Sequence, residues 1–397
     1  MLAGELRTTL KTLRERCFTG PPEELAWGPV AFELFTPEPG HRTWFQAYLH
    51  TSGPDTLPVR HRHRVFSVTD AEAFERLAAG LADVSNRAVE DYTGRPYRHG
   101  EVEDAAYWLT ANPADNLGET NPYLVVHQDG DWHVLSPPTP AAARNATVVA
   151  RELLRWHLLA EGALVVHSSA AVTGAGAFVF CGDAGSGKTT LALAAAQAGG
   201  RFISGDRTAL LPETDVTAVG IALAARVRPG TLTGLNLERR MNGHEPLRML
   251  PGKRLLTQTD LEVLGGIGTA AAGPVTGLVF TRRAEVSVPR LEEIPFESAR
   301  ELLAPQVLGY DNHWPAHWLL GGLDHSGPPP EYVRRAAVHS RLERVRLLRL
   351  TWDPHRGNVA AALDLIKEVA HGPARIPQAH EHGDGECGVR RAADGPG

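Results

Sequence analysis

Cysteine, lysine and long apolar runs are all scarce in this chain, and each scarcity excludes a class of protein. Only three of its 397 residues are cysteine (Cys17, Cys181 and Cys387), widely spaced and with no CxxC pair. That excludes a disulfide framework or a cysteine zinc site, and it suits a reducing cytoplasm. No window approaches the ~20 apolar residues of a membrane span. The opening MLAGELRTTLKTLRERC carries charges where a secretion signal needs an apolar core. Lys+Arg number 40 against 46 Asp+Glu, a net charge of −6, so no basic field draws the chain to nucleic acid or anionic lipid. Lysine is the rarer cation: only Lys11, Lys188, Lys253 and Lys367 occur among those 40. Arginine is the default, so each lysine raises the question of why arginine would not do. What remains, 43% hydrophobic and 22% charged, is a globular composition with length for two or three domains of roughly 150 residues.

Residues 1–140 read as an α+β domain without a strong motif. VAFELF (30–35) and TWFQAYL (43–49) read as strands separated by the turn PEPGH. A helix is expected from Thr69, its hydroxyl capping the first amides of DAEAFERLAAGLADV. PYLVVHQDGDWHVLS (122–136) reads as a hairpin turning on Asp-Gly. SPPTP (136–140) marks a boundary, since proline neither donates to a ladder nor tolerates a helical residue before it. Residues 141–161 read as a helix ended by Gly162, followed by apolar strands punctuated by glycine to about residue 310. Strand-like VRLLRLTW and a last helix, NVAAALDLIKEVAHG, complete a unit spanning 141–371. The tail 372–397 has almost nothing apolar to bury and is expected to be disordered.

The strongest signal is AFVFCGDAGSGKTTLALAAAQAGG (177–200), which contains G-x-x-x-x-G-K-T. An apolar strand precedes the loop and an alanine-rich helix follows it, the context in which this spacing binds phosphate. Gly182, Asp183, Ala184, Gly185, Ser186 and Gly187 form the loop, and Lys188, Thr189 and Thr190 open the helix. Glycines let successive backbone N–H groups turn toward phosphate oxygens, and the helix adds its positive end. Lys188 can reach the terminal phosphates, and the Thr189 hydroxyl can ligate Mg²⁺. The helix rises about 16 Å at ~1.5 Å per residue before Gly199-Gly200 stop it. RFISG returns about as far at ~3.3 Å per residue, bringing Asp206 to the level of the phosphates. A carboxylate there could hold Mg²⁺ or accept a proton from an attacking hydroxyl. Upstream, ALVVHSSAAV-TGAG-AFVFCG reads as a hairpin on Gly174-Ala175, with glycine suited to a type II′ turn. Its register places His167 opposite Gly182.

His167, Lys188 and Asp206, separated by 20 and 17 residues, together with HSSAAV…GDAGSGKTTLA…GGRFISGD, resemble the core of the HPr kinase/phosphorylase family. The resemblance covers roughly residues 148–300. It implies an α/β fold, a P-loop HPr-kinase/PEP-carboxykinase-like mixed sheet core joined to the α+β N-terminal domain. It implies catalytic roles for Asp206 as general base, His167 as its support and Lys188 on phosphate, with Thr189 and Asp206 holding Mg²⁺. Two departures stand out: the first Asp of the family's Asp-Asp pair is Gly205, and its Glu-Ile-Arg-Gly motif has no counterpart in 220–245. Phosphorylase action on HPr is therefore not expected, and the chain is closer to HPr-kinase-related proteins with other acceptors.

Lys253, in LPGKRLL, is expected to be a second phosphate contact, with Arg228 and Arg254 as further candidates and Asp260 and Glu238 as outer carboxylates. His61 and His63 read as a solvated basic strand, since no cysteine or carboxylate completes a metal set. His313 and WPAHW (314–318) fit either an acceptor pocket or an aromatic packing cluster. The expected activity is ATP- and Mg²⁺-dependent phosphoryl transfer to a hydroxyl of a metabolite, peptide or carrier protein. The alternatives are a P-loop ATPase and a nucleotide-binding regulator. Partners are then that acceptor and, through residues 1–140, a second copy in a homo-oligomer, with neither nucleic acid nor membrane involved.

Overall fold

A computed structural model describes residues 2–371 apart from residue 19 and residues 49–56, 91–94, 113–118, 222–224, 238–247, 251, 308–341 and 355–357. Glu238, His313, WPAHW and the tail 372–397 lie outside the described residues. The fold is mixed α/β, built around two large sheets. The first has eight strands: β1 (Glu23–Trp27), β2 (Val30–Phe35), β3 (His61–Thr69), β4 (Asn86–Glu90), β5 (Pro96–Val102), β6 (Ala105–Thr110), β7 (Leu124–Gln128) and β8 (Asp131–Ser136). Their order is β1-β2-β3-β8-β7-β6-β5-β4, with β2, β3 and β8 parallel and the remaining pairs antiparallel. The Asp129-Gly130 turn joins β7 to β8 as expected. Both its residues have positive φ, 52° and 78°, the type I′ geometry that matches strand twist.

Alternation gives this sheet two apolar faces. Leu124 and Val126 point into a cluster with Leu6, Leu10 and Leu13 of α1 (Leu2–Cys17) and Phe74, Leu77 and Leu81 of α3 (Ala71–Ala82). Val125 and Trp132 point the other way, toward α2 (Pro39–Tyr48) and α4 (Asn145–Ala160).

Two local expectations are corrected here. TWFQAYL lies mostly in helix α2, not in a strand. Pro39 is its first residue, where the missing N–H costs nothing and the fixed φ suits a helix, and Phe45 is buried edge-on against Phe32. The cap of α3 is Asp70, which accepts from the Ala73 amide, whereas the Thr69 hydroxyl donates to Glu38 at 2.8 Å.

The second sheet contains β9 (Leu164–Thr173), β10 (Gly176–Cys181), β11 (Arg201–Ser204), β12 (Arg207–Pro212), β13 (Val216–Gly220), β17 (Gly268–Thr269), β18 (Ala272–Arg283), β19 (Arg290–Glu293) and β20 (Arg346–Trp352). Between β13 and β17 the chain forms a small antiparallel sheet of β14 (Ala225–Val227), β15 (Arg248–Leu250) and β16 (Lys253–Leu256). The long strand β9 organises the larger sheet. It pairs antiparallel with β10 and β11 along one half and with β12 along the other. Strands β10, β18 and β20 run parallel, so their C-terminal ends share one edge of the sheet. Helices α5 (Lys188–Gln197) and Val359–His371 cover one face, and α8 (Phe296–Leu303) packs on the other. The run from 162 to 310 is thus not strands alone, since it also contains α6 (Pro229–Gly234), α7 (Gln258–Gly265) and α8.

One buried cluster runs from Trp27, Phe32 and Trp132 through Leu153 and Leu154 of α4 to Phe178 and Leu191. The Trp27 indole donates to the Gly220 carbonyl across the same contact. A fully buried side chain of this size contributes about 1.5–3 kcal/mol, so α4 and its flanking sheets are held by substantial apolar burial. No helix among the described residues is long and apolar enough to cross a membrane.

Candidate active site

The loop leaves β10 and enters α5 at the C-terminal edge of the parallel strands. Gly187 caps α5 with φ +91° and without a side-chain hydrogen bond, so the helix's first amides have no side-chain acceptor. A Cβ at position 187 would run into the Trp352 ring, 3.0 Å from Cη2. The indole Nε1 donates to the Ser186 carbonyl at 2.9 Å. Thr281, near the end of β18, donates to the Cys181 carbonyl at 2.8 Å and lies 2.7 Å from Ser186 Oγ. Two parallel neighbour strands thus set the loop from below. Lys188 is buried, its Nζ donating to the Gly182 and Asp183 carbonyls at 2.6 and 3.0 Å. An ammonium can be held at that distance by two carbonyls and still present its third proton to a ligand. Burial lowers the Lys188 pKa, Cys181, Asp206 and Asp183 act the other way, and Lys253 lowers it further.

The β9–β10 hairpin has the expected two-residue turn at Gly174-Ala175, and its register ends at Ser168 opposite Cys181, one step before His167. The positive φ falls on Gly176, at 106°, and not on Gly174, so the turn is not type II′. Across its other edge β9 pairs His167 with Arg207, and the Ser168 amide donates to the Asp206 carbonyl at 3.2 Å. The His167 imidazole therefore lies beside the Asp206 carboxylate, with Nε2 3.8 Å from Oδ1. Their side chains are 42% and 36% exposed, accessible enough to meet a ligand. Arg207 Nη2 stands 3.7 Å from the other carboxylate oxygen. Burial alone would raise the Asp206 pKa, but Arg207, Arg226, His167 and Arg151 together hold it below the ordinary carboxylate value. Burial lowers His167, as do Lys188, Arg207 and Lys253, against the opposing pull of Asp206. Near neutral pH the pair is an ionised carboxylate beside a neutral imidazole.

Thr189 Oγ1 lies 3.0 Å from Ser169 Oγ and 3.1 Å from the Gly205 carbonyl. The Thr189 hydroxyl and the Asp206 carboxylate both line one cavity, a hard-oxygen donor pair suited to Mg²⁺, which commonly takes one or two carboxylates and completes its shell with phosphate and water. Among the described residues no group of three or more His, Cys, Asp or Glu converges on a metal position.

That cavity, of about 380 Å³, gathers His167, Lys188, Thr189, Thr190, Asp206 and Lys253 with Ala184, Gly185 and Gly187 of the loop. Gly182, Asp183 and Ser186 complete the loop behind this lining, bonded to Lys188 and Thr281. Of the further candidates, Arg228 lines the cavity and Arg254 does not. Asp260 is no outer carboxylate: it is buried in a capping box, its Oδ2 accepting from the Thr257 amide at 2.7 Å. Sequence reasoning missed Arg226, Arg283 and Thr231 in the lining, and Ser169, Thr281 and Trp352 behind it. The lysine count held a usable signal. Lys188 and Lys253 face the cavity, whereas Lys11 and Lys367 are exposed.

His61 and His63 do not form a uniformly solvated strand. Arg62 and Arg64 point outward, while the histidines face α4. His61 stacks on His157 at 3.8 Å, and His63 Nε2 meets His157 Nε2 at 2.7 Å. Comparison of the chain with protein-family models and with curated proteins finds no match.

Proposed function

We propose that the chain is an ATP- and Mg²⁺-dependent phosphotransferase acting on a hydroxyl, with an HPr-kinase-like core and mechanism. The observation that carries this reading is the accessible Asp206 carboxylate in one cavity with the buried Lys188, whose ammonium is held by the loop carbonyls. An ATPase needs only to hold water near the γ-phosphate, whereas a carboxylate beside His167 suits a base that takes the proton of an acceptor hydroxyl.

In this reading the loop and the start of α5 bind the nucleotide phosphates, Lys188 neutralises charge on the transferring group, and Lys253 adds positive charge at the same end. Thr189 and Asp206 would hold Mg²⁺, which supplies further charge neutralisation when bound. Asp206 accepts the acceptor's proton while the acceptor oxygen bonds to the γ-phosphorus and the bond to the β–γ bridging oxygen breaks, releasing ADP. His167, neutral beside Asp206, orients that carboxylate. Residues 1–140 serve as acceptor-recognition or dimer module, and the setting is the cytoplasm, where ATP is available and Cys17 and Cys181, both free thiols, stay reduced.

The test is transfer of label from γ-labelled ATP with Mg²⁺ to a cell extract divided into small-molecule and macromolecular fractions. Label in either fraction should drop about 10²–10⁴-fold in Asp206→Asn, with nucleotide affinity retained. Label released only as free phosphate, regardless of extract, would overturn the kinase reading in favour of an ATPase.

A further inference from the structure

Strand β9 changes partner beside the loop. Ala170 pairs with Ser204 of β11 and His167 with Arg207 of β12. Ser168 and Ser169 are left opposite Gly205 and Asp206, which belong to neither strand. Two other bonds close the gap. The Ser168 amide donates to the Asp206 carbonyl at 3.2 Å, and the Ser169 hydroxyl donates to the Gly205 carbonyl at 3.0 Å.

Side chains two apart on a strand share a face, so His167 and Ser169 point to the same side of β9. His167 Nε2 stands 3.8 Å from the Asp206 carboxylate, and Ser169 Oγ stands 3.0 Å from Thr189 Oγ1. One strand face therefore adjoins both residues proposed to hold Mg²⁺. Ser169 is itself fully buried and outside the cavity lining, so it meets no ligand directly.

Its hydroxyl closes a triangle of oxygens, because Thr189 Oγ1 also lies 3.1 Å from the Gly205 carbonyl. Two hydroxyl protons serve the three edges. For Thr189 to face a cation with its lone pairs, neither proton can point at Oγ1. Ser169 then donates to the Gly205 carbonyl, and Thr189 donates to Ser169 or to that same carbonyl. The triangle also ties the first turn of α5 to the bend that carries Asp206, which fixes the spacing of the two metal-facing oxygens.

Resting on the phosphotransferase reading, we infer that Ser169 is a positioning residue for the magnesium site, acting through Thr189. Groups that hold a metal ligand in place are typically worth about 10–100-fold in metal affinity or activity.

The test uses the full chain and a non-hydrolysable β,γ-imido ATP analogue, its affinity measured by calorimetry in EDTA and again in saturating Mg²⁺. The ratio of the two affinities is the magnesium gain. Ser169→Ala should cut that gain about tenfold and leave the affinity in EDTA as in the wild type, because Lys188 and the loop amides do not bond to Ser169. In a Thr189→Ala background the same substitution should cost nothing further, since the two residues act as one unit. Ser169→Thr and Ser169→Val are alike in shape and differ in the hydroxyl. The threonine variant should keep more of the gain than the valine variant, a comparison that stands even where Ser169→Ala does not fold. An undiminished gain in Ser169→Ala, an equal loss with and without Mg²⁺, or the same cost in the Thr189→Ala background would overturn the inference. A wild-type chain that does not bind the analogue, or binds it no better with Mg²⁺, would instead remove the phosphotransferase reading, and this inference with it.

Discussion

Replacing Gly187 by alanine adds one methyl group where the loop before α5 rests on Trp352, and its cost can be worked from two separate terms. The backbone at 187 has φ +91°, and holding a side-chain-bearing residue in the left-handed region costs about 1–2 kcal/mol. The new Cβ would overlap the indole of Trp352, which is fully buried and hydrogen-bonded to the Ser186 carbonyl, and overpacking of this kind adds about 1–3 kcal/mol. The sum, about 2–5 kcal/mol, is a large part of the 5–15 kcal/mol that holds an ordinary domain folded. Urea unfolding should therefore show a clearly lowered midpoint, and ATP affinity should fall because the loop cannot keep its path. A double-mutant cycle separates the terms. In a Trp352→Leu background the ring is absent, so the added methyl should cost only the backbone term, giving a coupling of about 1–3 kcal/mol. A midpoint for Gly187→Ala equal to that of the wild type would refute the loop geometry. An undiminished cost in the Trp352→Leu background would refute the role given to the indole.

Other outcomes follow from the same geometry. Thr281→Val should leave the Ser186 hydroxyl and the Cys181 carbonyl without their partner, costing about 1–3 kcal/mol in urea unfolding and weakening nucleotide binding; unchanged affinity would show that β18 does not set the loop. His133 is buried, and burial first, then Arg14, His127 and Arg64, lowers its pKa from 6.5 to about 3. Between those values the unfolded chain binds the extra proton, so stability is full above about pH 6.5 and falls with acidification through this window. At pH 5 this one residue should have removed about 2 kcal/mol. His133→Phe, which can keep the stacking on Phe66, should flatten the dependence of Tm on pH between 7 and 5, and an unaltered slope would refute the assignment.

The contrast between local and long-range determination shows in particular residues. The strand–loop–helix arrangement around Gly187, the Asp129-Gly130 hairpin and the β9–β10 register were legible because turn chemistry and the two-residue strand period act over a few neighbours. The return of Asp206 to the loop followed from rise per residue alone, since one helix and one strand of similar reach separate them. Where several local readings compete, the choice went elsewhere. TWFQAYL is rich in strand-favouring residues, yet it forms most of α2 because Pro39 starts a helix and Phe45 finds the core between β2 and α4. Thr69 and Asp70 are both good caps, and Glu38, distant in sequence, takes the Thr69 hydroxyl.

By itself, then, the sequence determined where the G-x-x-x-x-G-K-T loop lies between strand and helix, which carboxylate returns to it, and which histidine stands opposite the loop. Only the tertiary structure decided what braces that loop and what charge surrounds the carboxylate. Thr281 and Trp352 are separated from Ser186 by 95 and 166 residues, and Arg226 shares a cavity with Asp206 while its neighbour Ala225 packs on Gly205. Such contacts leave no periodic trace in the chain. Their partners are chosen by how sheets and helices close over one another, and the energy that selects them is spread over the buried cluster joining α4, α5 and both large sheets.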